Sequence, residues 1–471
     1  MLAVIRKELL AIVREGRFTI LALALVATLM ASFWTSLKDY QQQEQEKSQI
    51  AQTVRAQWDQ QGDKNPHSGA HYGLYVFRPA TPLTVIEPGI THNTGLSIYL
   101  EPHRRSQARN AEAADESIAA RLGRMSPSFI LHTLLPLLII AFSFNAVTQE
   151  REHGTLRMLH SLGVSGSKLL WGKLLALLIS FAVLLLPLMA LGSWLLAAAT
   201  PASTPVFMRG MLLASSYLLY YPLIACIAIA ISARLRSSRS ALFILIGLWL
   251  AFTLILPRAG AAVAPILTPL PSSSEFWNAI KHDYEKGLPG DGDLATRNKQ
   301  HEEQLLREHG VQRLQDLPLG VNAARRLVRD AYANKVHERH FQALWDRYAE
   351  QQQIVLLASA LSPVVAIQMI SSAIAGTDLA HQRNFEELAE SYRREVNTAI
   401  DQWDAHNTKG ITSFDERYAS NTLWQSIKPF SYQPPSLASA LGHAWSGWLT
   451  LAVWLLCAIL FLHRSARKLT P

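Results

Sequence analysis

The chain has 471 residues, 49% of them hydrophobic and 17% charged, with a net charge of +8 and a mean hydropathy of only +0.10. It is too apolar for a soluble protein of this length, so membrane spans must alternate with sizeable polar segments. Its two cysteines, Cys226 and Cys457, both fall in apolar runs and exclude a disulfide framework in the polar segments. No soluble module carries the basic patch that nucleic-acid binding needs.

Residues 1–17 place Leu2, Ile5, Leu9, Ile12 and Val13 at helical spacing with Arg6, Lys7 and Arg14 between them. This predicts an amphipathic helix lying in the cytoplasmic interface. A long charged lead-in and a long following apolar run favour an uncleaved anchor over a signal peptide. Six uncharged apolar runs then predict transmembrane helices: Phe18–Leu37, Ser128–Val147, Leu174–Ala197, Gly210–Ser232, Ser240–Pro257 and Leu441–His463.

With the N-terminus inside, the segments 1–17, 148–173, 233–239 and 464–471 are cytoplasmic. They hold fourteen Lys and Arg against four acids, the distribution that the positive-inside rule demands. The net charge is therefore a topology signal. Two large segments, 38–126 and 258–440, are exported, and 198–209 is a short outer loop.

In the first exported segment a Gln-rich helical run, Gln41–Gln61, gives way to an irregular stretch with several prolines. In the second, Ser272–Ser274 before Glu275 marks a helix start, and Pro289-Gly-Asp-Gly-Asp293 a turn. A helical stretch runs from Asn298 to Gln353, with Leu305, Leu327, Val328, Tyr332, Phe341, Leu344, Trp345 and Tyr348 expected in the core. Another runs from Phe385 to about Ala405. Residues Ile354–Ile370 are uncharged, but Pro363 sits near their middle. A seventh span would also put Arg464, Arg467 and Lys468 outside, so an interfacial or buried helix is expected there.

The most informative stretch is Glu150-Arg-Glu-His-Gly-Thr-Leu156, between two apolar runs and followed by Gly172-Lys173. Charges at this density do not face lipid. Acids at a helix N-terminus are favoured by the dipole alone, but that leaves Gly154, Thr155, Leu156, Gly172 and Lys173 unexplained. Taken together, this turn resembles the coupling loop of ABC-2 type transporter permeases, the membrane subunits of bacterial ABC transporters. Arg6-Lys7-Glu8-Leu9 resembles the interfacial helix with which such permeases begin. Leu361-Ser-Pro363, Gly376-Thr-Asp378, His381, Phe385 and Tyr392-Arg-Arg-Glu395 resemble a branch with two large exported loops and unassigned substrate.

The resemblance implies an all-α polytopic membrane protein with six transmembrane helices, an N-terminal interfacial helix and two extracytoplasmic, mainly helical domains. It implies a multi-pass protein of the bacterial inner membrane with both termini cytoplasmic. Glu150, Glu152, Gly154, Thr155, Leu156, Gly172 and Lys173 would couple it to ABC ATPase subunits, and a second permease, related or identical, would complete the membrane part. No phosphate-cradling Gly-x-x-x-x-Gly-Lys-Ser/Thr occurs, so the chain is expected to be non-catalytic and without a cofactor, with ATP and Mg on the partner ATPase. The expected activity is export. A subunit that relays ATPase motion to an extracytoplasmic protein is the alternative.

Within the spans, His132, Tyr217, Tyr220 and Tyr221 are candidates for a translocation path, or equally for interhelical contacts. Pro136, Pro187 and Pro222 are expected to kink helices, and Arg258 to lie at the outer interface. An ion-coupled carrier is disfavoured because the spans lack Asp, Glu, Lys and Arg. His337 and His340 have helical i,i+3 spacing but no third ligand nearby in sequence, so no metal site is expected. His381 reads as packing or capping, and Asp291 and Asp293 lack the ligand count of a calcium loop.

Overall fold

The computed structural model describes residues 1–109, 111, 125–199, 206–409 and 418–469. The parts of the expected loops at 112–124, 200–205 and 410–417 lie outside the described residues.

The chain is an all-α membrane protein with a mainly helical domain at one end of its bundle. Leu2–Arg14 forms the amphipathic helix expected at the interface, with Leu2, Leu10 and Val13 exposed along it. The first span is one unbroken 43-residue helix, Arg17–Asp59. At 1.5 Å per residue it is about 64 Å long, twice a bilayer's hydrocarbon core. The expected span at 18–37 and the Gln-rich run are thus a single rod.

The second span covers residues 127–143 and contains a π turn at Ile130–Leu134. Gly166–Ala198, Val206–Arg234, Ser238–Leu267 and Leu437–Arg467 are the third to sixth spans. The third begins eight residues before Leu174, where Ser165 accepts the Lys168 N–H as its cap. The fifth continues ten residues past the expected end at Pro257, because a π turn at Ala251–Ile255 absorbs that proline. Two thirds of the apolar window of the fourth span is buried, against 11% for the fifth, so the fourth is the hub of the bundle and the fifth lies on its outside.

A seventh apolar stretch among the described residues, Pro363–Asn407, is long enough to cross only if the break at residues 376–378, where Gly376 is left-handed, is ignored. The helix Val321–Leu361 runs beside the outer part of the fifth span and stops at Ser362. Pro363–Ala375 then departs as a separate 13-residue helix, about 20 Å long and too short to cross. The turn is deep: Ser362 Oγ donates to the Phe252 carbonyl at 2.7 Å, and Trp454 Nε1 to the Ala360 carbonyl at 3.2 Å. Phe252 and Trp454 lie mid-way along the fifth and sixth spans. Residues 354–375 therefore form a helical hairpin whose turn reaches the middle of the fifth and sixth spans, with Pro363–Ala375 wedged between the fourth and sixth spans. Its last carbonyls are capped by three side chains from two segments: Arg209 of the fourth span on Ile374 at 2.9 Å, and Thr81 and Arg78 of the first large segment on Ala375 at 2.5 Å and Gly376 at 2.8 Å. Cations there also suit the helix dipole.

The two large segments, expected as separate domains, share one core. Trp58, Val76 and Ile98 from the first pack with Phe385, Ile400 and Trp424 from the second. Trp58 donates to the Trp424 carbonyl at 3.1 Å, and Trp424 to the Gly62 carbonyl at 3.0 Å. The first segment also contributes a two-stranded antiparallel sheet, Leu74–Phe77 with Ser97–Leu100, which alternation in the sequence did not announce. The capping box at Ser272 and Glu275 forms as expected. The stretch 298–353 is instead two helices, Leu294–His309 and Val321–Leu361, split after Gly310 adopts φ +65°. Leu305, Phe341, Leu344 and Trp345 are buried and Leu327, Tyr332 and Tyr348 half-buried, whereas Val328 is exposed.

Candidate functional site

The turn after the second span consists of two short helices, Thr148–Glu152 and Thr155–Ser161, at the end of the bundle that carries the basic loops. Gly154 joins them at φ +75°, a left-handed conformation that costs other residues about 1–2 kcal/mol. The turn is fixed on every side by its own acids and bases. Glu152 accepts the Ser238 N–H at 2.7 Å and the Ser238 hydroxyl at 2.8 Å, capping the fifth span. Arg151 donates to the Ala233 carbonyl at 2.9 Å and to the Leu235 carbonyl, capping the end of the fourth. Ser232 Oγ accepts the N–H groups of Val147 and Thr148 at 3.0 and 3.2 Å, where the second span stops.

Glu150 anchors the other side. It lies 3.1 Å from Lys7 and 3.3 Å from Lys173, and Glu8 completes the cluster at 2.8 Å from Lys173 and 2.9 Å from Lys7. The Thr155 hydroxyl donates to the Glu150 carboxylate and, at 3.1 Å, to its carbonyl. Two cations and two carboxylates thus join the interfacial helix, the turn and the base of the third span. Gly172 permits this approach, since a Cβ there would lie 2.7 Å from Val4 Cγ1. Arg6 is exposed and Leu9 half-buried on the same helix.

What the turn shows to solvent is different. Leu156 is buried, but Met158 is 56% and Leu162 72% exposed, with His153, Arg157 and Ser161 around them. Two bare apolar side chains beside Arg157, on a rigidly held turn, are suited to burial against another protein.

His132, Tyr217, Tyr220 and Tyr221 come together between the second and fourth spans, all buried. Tyr217 Oη lies 2.8 Å from His132 Nε2. Pro136 has no N–H for the His132 carbonyl, and Tyr220 supplies a donor at 3.0 Å. Tyr221 and Trp249 serve the carbonyls of Leu131 and Thr133 at 3.2 and 2.9 Å. These polar groups satisfy a π-distorted backbone in the buried interior of the bundle. Beside them sits an acid that span composition did not reveal. Glu87, from the first large segment, accepts from Ser371 at 2.5 Å and from the Gly89 N–H at 3.1 Å, and lies 3.9 Å from His132. Arg209, expected at the end of a short outer loop, stands instead in the first turn of the fourth-span helix and donates to the Ile374 and Pro435 carbonyls.

His337 and His340 diverge: His340 Nε2 meets Asp283 at 2.9 Å, while His337 is buried against Trp277 and Phe341. Burial opposes it, but hydrogen bonds from His340 and His282 lower the Asp283 pKa. Asp378 caps the helix Leu379–Asn407 through the His381 N–H at 3.1 Å, with the buried His381 ring against it. Asp293 caps Leu294–His309, and Asp291 takes Lys335 at 2.7 Å. Arg258 is exposed on the extension of the fifth span.

Residues 89–279 match the family model described as ABC-2 family transporter protein, and residues 273–433 match a domain of unknown function (DUF3526). No curated protein and no solved structure matches the chain.

Proposed function

We propose that this chain, which matches the ABC-2 family transporter model over residues 89–279, is the permease subunit of an ATP-driven exporter of the bacterial inner membrane, driven through the turn at 148–165. In this reading the basic face is cytoplasmic and an ABC ATPase, carrying ATP and Mg, docks on Arg157, Met158 and Leu162. A second permease, identical or related, supplies the other six spans.

The observation that carries the reading is the fixation of the turn. Arg151 and Glu152 bind it to the fourth and fifth spans, and Glu150 and Lys173 to the third span and the interfacial helix. A push on Met158 and Leu162 therefore tilts these elements together, a hinge-type transition. Glu150 and Glu152 serve as latches behind the docking face.

A relay to an extracytoplasmic protein is the second reading, favoured by the unbroken first span that runs from the bundle into the domain. Either reading requires the ATPase. Affinity purification of the intact protein should recover an ABC ATPase, and the Met158→Asp/Leu162→Asp variant should lose it. If neither preparation brings one down, the reading fails. A small molecule trapped between the spans then argues for transport, and stable capture of a protein by the domain argues for relay.

A further inference from the structure

Three histidines of the domain, remote from the turn just described, bring their ring nitrogens to one point. His67 and His71 stand one turn apart on the helix Pro66–Tyr72, which Asn65 caps through the N–H groups of His67 and Ser68. His103 follows the strand Ser97–Leu100. His67 Nε2 lies 3.2 Å from His71 Nε2 and 3.4 Å from His103 Nε2, and the three rings offer nitrogens all within 4.8 Å of one another. Nitrogen ligands at about 2.0–2.1 Å from a tetrahedral zinc ion stand roughly 3.4 Å apart, so these are separations of ligands round one ion.

Hydrogen bonding among the rings does not account for the arrangement. A neutral imidazole nitrogen carries either one hydrogen or one lone pair, so His67 Nε2 has no means of forming a full bond to both neighbours. An independent feature points the same way. Asp330, from the helix Val321–Leu361, places Oδ1 3.1 Å from His103 Nδ1. A carboxylate on the far nitrogen fixes the tautomer and turns the Nε2 lone pair toward the other rings, as in metal-bound histidines.

We propose that His67, His71 and His103 bind one divalent transition-metal ion of the zinc class through Nε2, with Asp330 orienting His103. Three imidazoles without thiolates suit zinc, copper(II) or nickel, and not magnesium or calcium. His67 and His103 also border a cleft of about 660 Å³ flanked by Arg104, Arg325 and Arg329. The fourth coordination position is reached from that cleft and left to water, the arrangement of an open site. The site stands whether or not an ATPase partner is found.

The test uses full-length protein, stripped with chelator and titrated with Zn²⁺ and separately with Co²⁺. The expected result is one ion per chain, with Co²⁺ giving the intense visible absorption of four-coordinate geometry. His71→Ala and His103→Ala should each weaken binding at least about 100-fold, and Asp330→Asn about 10–100-fold. His340→Ala, whose ring pairs with Asp283, should bind like the parent. His71 is exposed, so the metal-free His71→Ala variant should melt with the parent, which separates lost ligation from lost fold. Absence of a stoichiometric ion in the parent, or parental affinity in His71→Ala, overturns the proposal.

Discussion

Glu152 holds Ser238 with both carboxylate oxygens, one on the backbone N–H and one on the hydroxyl. One residue of the turn is thereby the cap of the fifth span, and its charge complements that helix's dipole. Glu152→Gln keeps an acceptor and loses the charge, while Glu152→Arg sets a cation against the N-terminus. All variants should retain the ATPase, because Met158 and Leu162 are untouched. ATP turnover by the purified complex should fall from parent to Gln to Arg. Parental turnover in the Arg variant would show that the latch transmits nothing.

Gly172 makes the second prediction. A side chain there meets Val4, so Gly172→Leu should lift the interfacial helix from the third span, at the roughly 1–3 kcal/mol typical of overpacking. The readout is a cysteine pair replacing Lys7 and Glu150, whose charged atoms lie 3.1 Å apart, joined by a bifunctional thiol reagent long enough to span the two vacated side chains. The pair should cross-link in an otherwise parental chain and fail to do so with Gly172→Leu added. Undiminished cross-linking would mean the helix is held by other contacts.

The apolar helices and the charged turn between the second and third of them were legible because their signals are local. A run without charge, or Glu-x-Glu-x-Gly-Thr between two such runs, is read within one window. What escaped was assembled across distance. Glu87 reads as an ordinary loop acid until Ser371, nearly three hundred residues later, is found beside it. His67, His71 and His103 converge through a cap at Asn65 and a strand pairing, neither of which has a periodic signature. The common core of the two large segments rests on Trp58 meeting Trp424, again a long-range contact. The splitting of 298–353 at Gly310 was a local signal outweighed by the charged helical pattern around it.

The hairpin at residues 354–375 carries a topological prediction. If residues 354–375 turn back near the middle of the membrane, the chain on both sides of them lies on one face. Gln352→Cys and Arg383→Cys should both react with an impermeant maleimide added outside intact cells. A cysteine replacing Ser161 should react only after permeabilisation. Protection of the residue 383 cysteine alone would mean that this stretch crosses as a seventh span, placing the C-terminal cations outside.

His337 gives the domain a pH dependence of determinate sign. Its ring packs on Trp277 and Phe341, and its buried Nδ1 has no hydrogen-bond partner among the described residues. Burial, then the nearby Arg393, with Arg105 and Arg394 adding to it against the opposite pull of Glu390, brings its pKa down to about 4. In the unfolded chain an imidazole titrates near 6.5. Below that pH the unfolded chain binds a proton that the native domain refuses, so the contribution is whole above about pH 6.5 and shrinks as pH falls toward about 4. Each unit in that window is worth about 1.4 kcal/mol, so lowering the pH from about 7 to about 5 should remove roughly 2 kcal/mol through this residue. His337→Leu cancels the titration while filling the same apolar niche. Denaturant melts of both proteins at the two pH values isolate the effect, since the remaining groups titrate in common. The parent should lose roughly 2 kcal/mol more than the variant, and equal losses would mean that this imidazole is not held neutral in the fold.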